Sequence, residues 1–199
     1  MSNYITLAEF KYTAELTGFS FADGDIPNAI GAASRGIDEY CGRKFYTDAT
    51  TRYYTPVEPG YLRIDDLVTL GTMTSDLDGD GVFEQTWTLN TDFVLEPLNA
   101  AADGKPYEEI RLHPAGSLRF SCYPRSVSVA GTFGWSSVPD PVKEATMILA
   151  SRLLRRAREA PFGVVGIGID QSAVRIARTD PDVAFLLDPF IRGAGMFVA

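Results

Sequence analysis

Asp76-Leu-Asp78-Gly-Asp80-Gly81 is the stretch whose residue types and spacing come nearest to chemistry. Carboxylates at alternate positions followed by glycine reproduce the opening of an EF-hand calcium loop, where such oxygens ligate a hard cation. Glu84 adds a carboxylate, but it stands at the ninth position; the twelfth, where that loop places a bidentate glutamate, is Trp87. The flanks have the pattern of strands and not of helices. The plain reading is a polar hairpin turn, which Asp and Gly favour through their local backbone chemistry. A Ca²⁺ site on Asp76, Asp78, Asp80 and Glu84 is the second reading, and no other cofactor is expected.

Nothing else in the chain assembles a reaction centre. His113 is the single histidine and precedes Pro114, with no nucleophile motif beside it. The expectation is a loop-edge histidine and a protein that is not an enzyme. Gly163-Val-Val-Gly166-Ile-Gly168 reverses the order of a dinucleotide fingerprint and follows an arginine-rich helix where a strand is required. It reads as a partner-seeking or strand-adding segment. Cys41 and Cys122 lie far apart in no paired spacing, so two reduced, partly buried thiols are expected.

Two features point to partners. Arg152, Arg155, Arg156 and Arg158 form a dense basic cluster near a helix C-terminus. The helix dipole favours cations there, but four arginines exceed what it needs, so contact with DNA or an acidic partner surface stands beside a merely solvated turn. The chain ends Pro189-Phe190-Ile191-Arg192-Gly-Ala-Gly-Met196-Phe197-Val198-Ala199. Apolar termini of this kind either fold onto their own core or anchor another protein, and docking is the favoured reading.

The elements that must position these residues change period twice along the chain. Thr6 and Glu9 form a capping-box pattern opening a helix over 7–16 that Gly18 closes. Asp25 is the expected cap of a longer helix with Ile26, Ala29, Ile30, Ala33, Ile37, Tyr40 and Cys41 on one stripe and Gly42 at its end. From about residue 50 the period falls to two. Phe83, Gln85, Trp87 and Leu89 alternate with polar residues, as do Val127, Val129, Gly131 and Phe133; shorter runs cover 51–55, 62–64, 68–74 and 110–112. Connections this short predict antiparallel pairing. After Pro139 the helical period returns: Asp140 caps, Pro141 starts, and Val142, Ala145, Leu149 and Leu153 form a stripe widened by Met147, Ala150 and Leu154. That helix should end near Arg158, with a shorter one over 180–188.

The reading is an α+β fold, a helical core from both ends of the chain with an inserted antiparallel β-sheet or small barrel. Its parts are 1–49, 50–135, 136–188 and an apolar docking tail at 189–199. A net charge of −8 across 199 residues argues against a protein that grips nucleic acid by neutralising phosphates. No basic-then-apolar leader and no run of about 20 apolar residues occurs, so the expectation is a soluble product made in a cytoplasm, without a membrane partner.

Several segments together resemble the head–tail connector (adaptor, head-completion) family of long-tailed bacteriophages, the siphophages, particularly the actinobacteriophage branch. They are Ile5-Thr-Leu-Ala-Glu-Phe10, then Asp25 to Cys41 running into Gly42-Arg-Lys-Phe45. Asp76 to Trp87 with Asp92-Phe-Val-Leu-Glu-Pro-Leu-Asn99 follows, and then the step from Gly134-Trp135 into Pro139 and the arginine-rich helix. The long strand-rich middle departs from the simplest members. The resemblance implies a structural protein of the virion neck: a homo-oligomeric, twelvefold ring beneath the portal that extends the DNA channel and joins capsid to tail. It implies as partners the portal and the next head-completion or stopper protein, with genome DNA passing unbound. Phe190, Ile191, Arg192, Met196, Phe197 and Val198 would then dock on the portal. Another neck ring component, a stopper or tail terminator, and a Ca²⁺-dependent binding module are the alternatives.

Overall fold

The computed structural model describes residues 2–16, 24–159 and 181–193. The chain divides into two compact units, one built from residues up to Arg43 and from Val138 onward, the other spanning Lys44–Ser137.

The first unit is helical: α1 (Leu7–Leu16), α2 (Ile26–Cys41), α3 (Asp140–Glu159) and α4 (Pro181–Leu187), with a 3₁₀ turn at Asp188–Phe190. The capping box at α1 forms as its residues dictate. The Thr6 N–H donates to Glu9 Oε2 at 2.6 Å, and the Glu9 N–H donates to Thr6 Oγ1 at 3.2 Å. Gly18 lies outside the described residues. On α2 the apolar stripe buries Ile26, Ala29, Ile30, Ala33, Ile37 and Cys41. Tyr40 does not join it: it stays 40% exposed, and its hydroxyl donates to Asp188 Oδ1 at 3.1 Å. A phenol keeps its polar tip in water while the ring lies along the surface. Asp25 also departs from expectation, because its backbone is already helical and its side chain makes no cap bond. Gly42 closes α2 in the left-handed conformation at φ 64°, donating to the Asp38 carbonyl.

Helix α3 starts at Asp140 as its Asp-Pro signal requires and packs against α2 and α4. Its buried stripe is Val142, Ala145, Thr146, Ala150 and Leu154, whereas Leu153 is 37% exposed. The inward face is therefore rotated towards 146, 150 and 154, the helical repeat of 3.6 shifting it from the expected positions. Ile5, Phe10, Ile26, Ala29, Ile30, Ala33, Ala150 and Leu154 form one apolar cluster.

The second unit is a six-stranded antiparallel sheet of β1 (Asp48–Tyr54), β2 (Tyr61–Ser75), β3 (Gln85–Trp87), β4 (Phe93–Glu96), β5 (Tyr107–Leu112) and β6 (Val127–Phe133), in the order β1-β6-β2-β5-β4 with β3 paired to β2. The fold is α+β, with an open sheet rather than a closed barrel. The two short runs expected at 62–64 and 68–74 are one strand, β2, whose register shifts between Arg63 and Leu67 and again towards Thr72. Asp65 and Asp66 interrupt the apolar pattern without ending the strand, because each takes a bond from a distant partner. The Tyr54 hydroxyl lies 3.2 Å from Asp65 Oδ2, and Trp135 Nε1 donates to Asp66 Oδ2 at 3.0 Å. The alternation expected over 83–89 shortens to three residues: Trp87 is buried, but Leu89 is 38% exposed where the chain turns towards β4. The core beneath the sheet includes Leu62, Ile64, Leu67, Met73, Trp87, Phe93, Ile110, Val127, Val129 and Phe133. Gly134, at φ 105°, follows β6 where a Cβ would collide with the Tyr46 carbonyl, so that close approach requires glycine.

Candidate functional site

The acidic turn joins β2 to β3 and is built from its own side chains. Asp76 Oδ1 accepts the N–H groups of Asp78 (3.2 Å) and Gly79 (2.6 Å), and Oδ2 accepts that of Gly81 (2.8 Å). Asp78 accepts from the Asp80 N–H at 3.2 Å, Asp80 from the Val82 N–H at 2.7 Å, and Glu84 Oε1 from the Leu77 N–H at 3.0 Å. Gly79 and Gly81, both at φ 88°, supply the left-handed positions that let one carboxylate collect N–H groups from so short a loop. The Gly79 N–H, helped by those of Gly81 and Asp78, holds the buried Asp76 carboxyl below the usual carboxylate range.

The structure brings together the sequence-predicted set. Ligand oxygens of Asp76, Asp78, Asp80 and Glu84 lie within 4.8 Å of one another, Asp76 buried and the others exposed. An all-carboxylate donor set suits a hard cation such as Ca²⁺. The twelfth position of the EF-hand pattern contributes nothing: Trp87 is buried and its Nε1 donates to Ser75 Oγ at 2.8 Å. Beside the turn is a depression of about 340 Å³ lined by Asp76, Asp78, Phe83, Tyr123 and Arg125, among others.

The partner-facing candidates lie elsewhere. Arg152, Arg155 and Arg156 are exposed on the last turns of α3; the side chain of Arg158 lies outside the described residues. Phe190, Ile191 and Arg192 do not begin a free arm. The Arg192 N–H donates to the Cys41 carbonyl at 2.8 Å, tying this segment to the C-terminal end of α2, with Ile191 41% exposed. Met196, Phe197 and Val198 lie outside the described residues, as does the glycine-rich stretch at 163–168. His113 directly follows β5, its N–H donating to the Asp92 carbonyl at 2.9 Å. The two thiols differ. Cys41 is buried and burial pushes it up to about 11, while Cys122 is exposed and so does not fit the expectation of partial burial.

A chain from the neck of an empty GTA particle, computed with C6 symmetry, superposes with a TM-score of 0.57 at 16% identity, covering 96% of this chain and 92% of that one. The fold matches that of gene-transfer-agent neck proteins. A chain from the neck of the native particle, computed with C12 symmetry, gives 0.55 at 16% identity over 98% of both chains. A chain of the virion of the native gene transfer agent (GTA) particle gives 0.51 at 18% identity, covering 96% and 92%. No protein-family model matches the chain, and no curated protein does. The likeness to phage-like necks runs through the helical and sheet units alike.

Sequence reasoning missed the surroundings of the turn. Arg125 stacks on Tyr53, with 3.9 Å from guanidinium to ring centroid, and Tyr53 lies 5.7 Å from the Phe83 ring. Tyr123 would touch a Cβ placed on Gly79. These residues meet only through the strand order, which local spacing does not carry. The local signal in the sequence is Pro124, a turn residue directly before Arg125; that Arg125 takes φ 63° there is visible only in the structure.

Proposed function

We propose that the chain is a head-to-tail adaptor: a structural protein of the virion neck that forms a homo-oligomeric ring beneath the portal, extends the DNA channel and connects capsid to tail. The observation that carries this reading is the match over 98% of both chains to a component of a neck computed with C12 symmetry. Cyclic rings are built from heterologous contacts, in which one surface meets a different surface of the next copy. The helical unit favours an adaptor over a stopper or tail terminator, which are expected to be dominated by strands. The net charge of −8 suits a channel wall that lets DNA pass without holding it. Among the described residues no helix is long and apolar enough to cross a membrane. The apolar end of the chain is the portal anchor in this reading, and the arginines of α3 contact a neighbour, the portal or DNA.

Electron cryo-microscopy of the protein mixed with the portal of the same particle tests it. The expected result is a ring of copies beneath the portal, with the segment after Gly193 seated on it. Removing residues 194–199 spares the Arg192–Cys41 bond and should give a folded protein that no longer binds. Failure of the intact protein to associate with an intact portal overturns the adaptor role in favour of a later ring of the neck.

The acidic turn supports a second, separate reading, a structural Ca²⁺ that stiffens the β2–β3 connection, carried by the convergence of four carboxylates within 4.8 Å. Calorimetric titration with Ca²⁺ should show binding accompanied by a higher melting temperature. No heat and no shift would leave a hairpin turn closed by its own N–H groups.

A further inference from the structure

The two ends of the sheet are finished differently. At β4 the edge is four residues long, and the Asn90 N–H turns back onto the Phe93 carbonyl at 2.8 Å, occupying an outward acceptor. At β1 the edge is seven residues, Asp48-Ala-Thr-Thr-Arg-Tyr-Tyr54, and among the described residues no strand pairs with its outer side. Its first four residues are exposed, and the strand contains no proline, lysine or bulge of the kind that usually blunts such an edge. Every second residue of an antiparallel edge strand turns both its N–H and its C=O outward, so β1 offers a row of hydrogen-bonding groups to another strand.

We propose that β1 pairs with β1 of a second copy of this chain, antiparallel about a two-fold axis through Thr50, making a dimer of the protein before it is built into any larger assembly. The charge pattern selects this occupant and this register. An antiparallel self-pair centred on Thr50 sets Asp48 opposite Arg52 of the other copy twice, Ala49 opposite Thr51, and Thr50 opposite itself. Opposite charges across an antiparallel pair are favourable and like charges are not, so the sequence complements itself in this register. Arg52 is already held in place, its guanidinium 2.8 Å from Asp65 Oδ2 and 4.2 Å from the centroid of Phe133. It therefore loses little freedom on meeting a second carboxylate, and it keeps donors to spare. Thr50 lies beside Gly131 on β6, so no side chain of its own sheet crowds the axis. Among the described residues each molecule has one long open edge, so the pair closes on itself instead of growing into a fibre.

The two-fold contact differs from the heterologous contacts of a ring, and its test needs no portal, so it stands or falls apart from the adaptor reading. Sedimentation equilibrium of the full chain over a hundredfold range of concentration should show a monomer–dimer equilibrium. Thr50→Asp and Thr50→Lys each place like charges face to face on the axis. Each variant alone should sediment as a monomer with an unchanged circular dichroism spectrum, and an equimolar mixture of the two should recover the dimer. A wild-type chain that stays monomeric throughout, or grows without limit, overturns the proposal. So do single variants that dimerise as the wild type does, or a mixture that fails to recover pairing while both variants remain folded.

Discussion

The two units hold some of their buried polar groups with bonds of different reach. In the helical unit Ser34 and Thr146 are fully buried, and each donates its hydroxyl to its own helix, Ser34 to the Ile30 carbonyl at 2.8 Å and Thr146 to that of Val142 at 2.7 Å, while Ser34 Oγ also accepts the Tyr4 N–H at 3.2 Å. In the sheet unit Trp135 donates to Oδ2 of the buried Asp66 from 69 residues away, and Trp87 donates to the buried Ser75 from the neighbouring strand. A bond to one's own turn forms with the helix and specifies little else. A bond across 69 residues exists only when β2 and the end of β6 are already in place, and so helps to fix the register. Substitutions in the sheet unit should therefore cost more than chemically similar ones among the helices.

The largest effect is expected at Gly134. Alanine there must take φ 105° with its Cβ against the Tyr46 carbonyl, so Gly134→Ala should lower stability by about 3 kcal/mol, read by urea denaturation. Next comes Asp66→Ala, which strands the buried indole N–H of Trp135 and should cost about 2 kcal/mol. A tryptophan emission change at Trp135 would distinguish a local loss from general loosening. Thr6→Ala removes one half of the α1 capping box and should cost about 1 kcal/mol. Its effect has a pH signature. The Thr6 N–H and hydroxyl lower the Glu9 pKa, so the stabilisation is present above the ordinary glutamate pKa and is lost as pH falls through the lowered folded value. The difference between wild type and Thr6→Ala should accordingly shrink in acid. Thr146→Val keeps the shape and drops a bond to an already engaged carbonyl, so it should stay within about 0.5 kcal/mol. A Thr146→Val cost rivalling that of Asp66→Ala would break the contrast between the units.

The same division explains what could be read from the chain beforehand. Thr6, Glu9 and Gly42 mark helix ends through partners a few residues away, and Asp140-Pro141 opens α3 by its residue types, so α1, α2 and α3 were legible. The acidic turn was legible for the same reason, since Asp76 finds its donors at residues 78, 79 and 81. The length of β2 was not, because Asp65 and Asp66 read as a break until Tyr54 and Trp135 arrive from distant strands. Tyr40 misled as a stripe residue because its partner, Asp188, lies beyond the whole sheet unit in sequence. Likewise Arg125, Tyr53 and Phe83 gather near the turn only once β1 and β6 are paired.

That β1–β6 pairing has an architectural consequence. Asp48 sits opposite Phe133, so the chain enters and leaves the sheet unit at neighbouring points. Cross-strand neighbours stand only about 5 Å apart. For the helical frame, everything between these two residues is topologically one oversized loop between α2 and α3. It can be lengthened, shortened or exchanged for another module while the spacing its ends present to the frame stays the same.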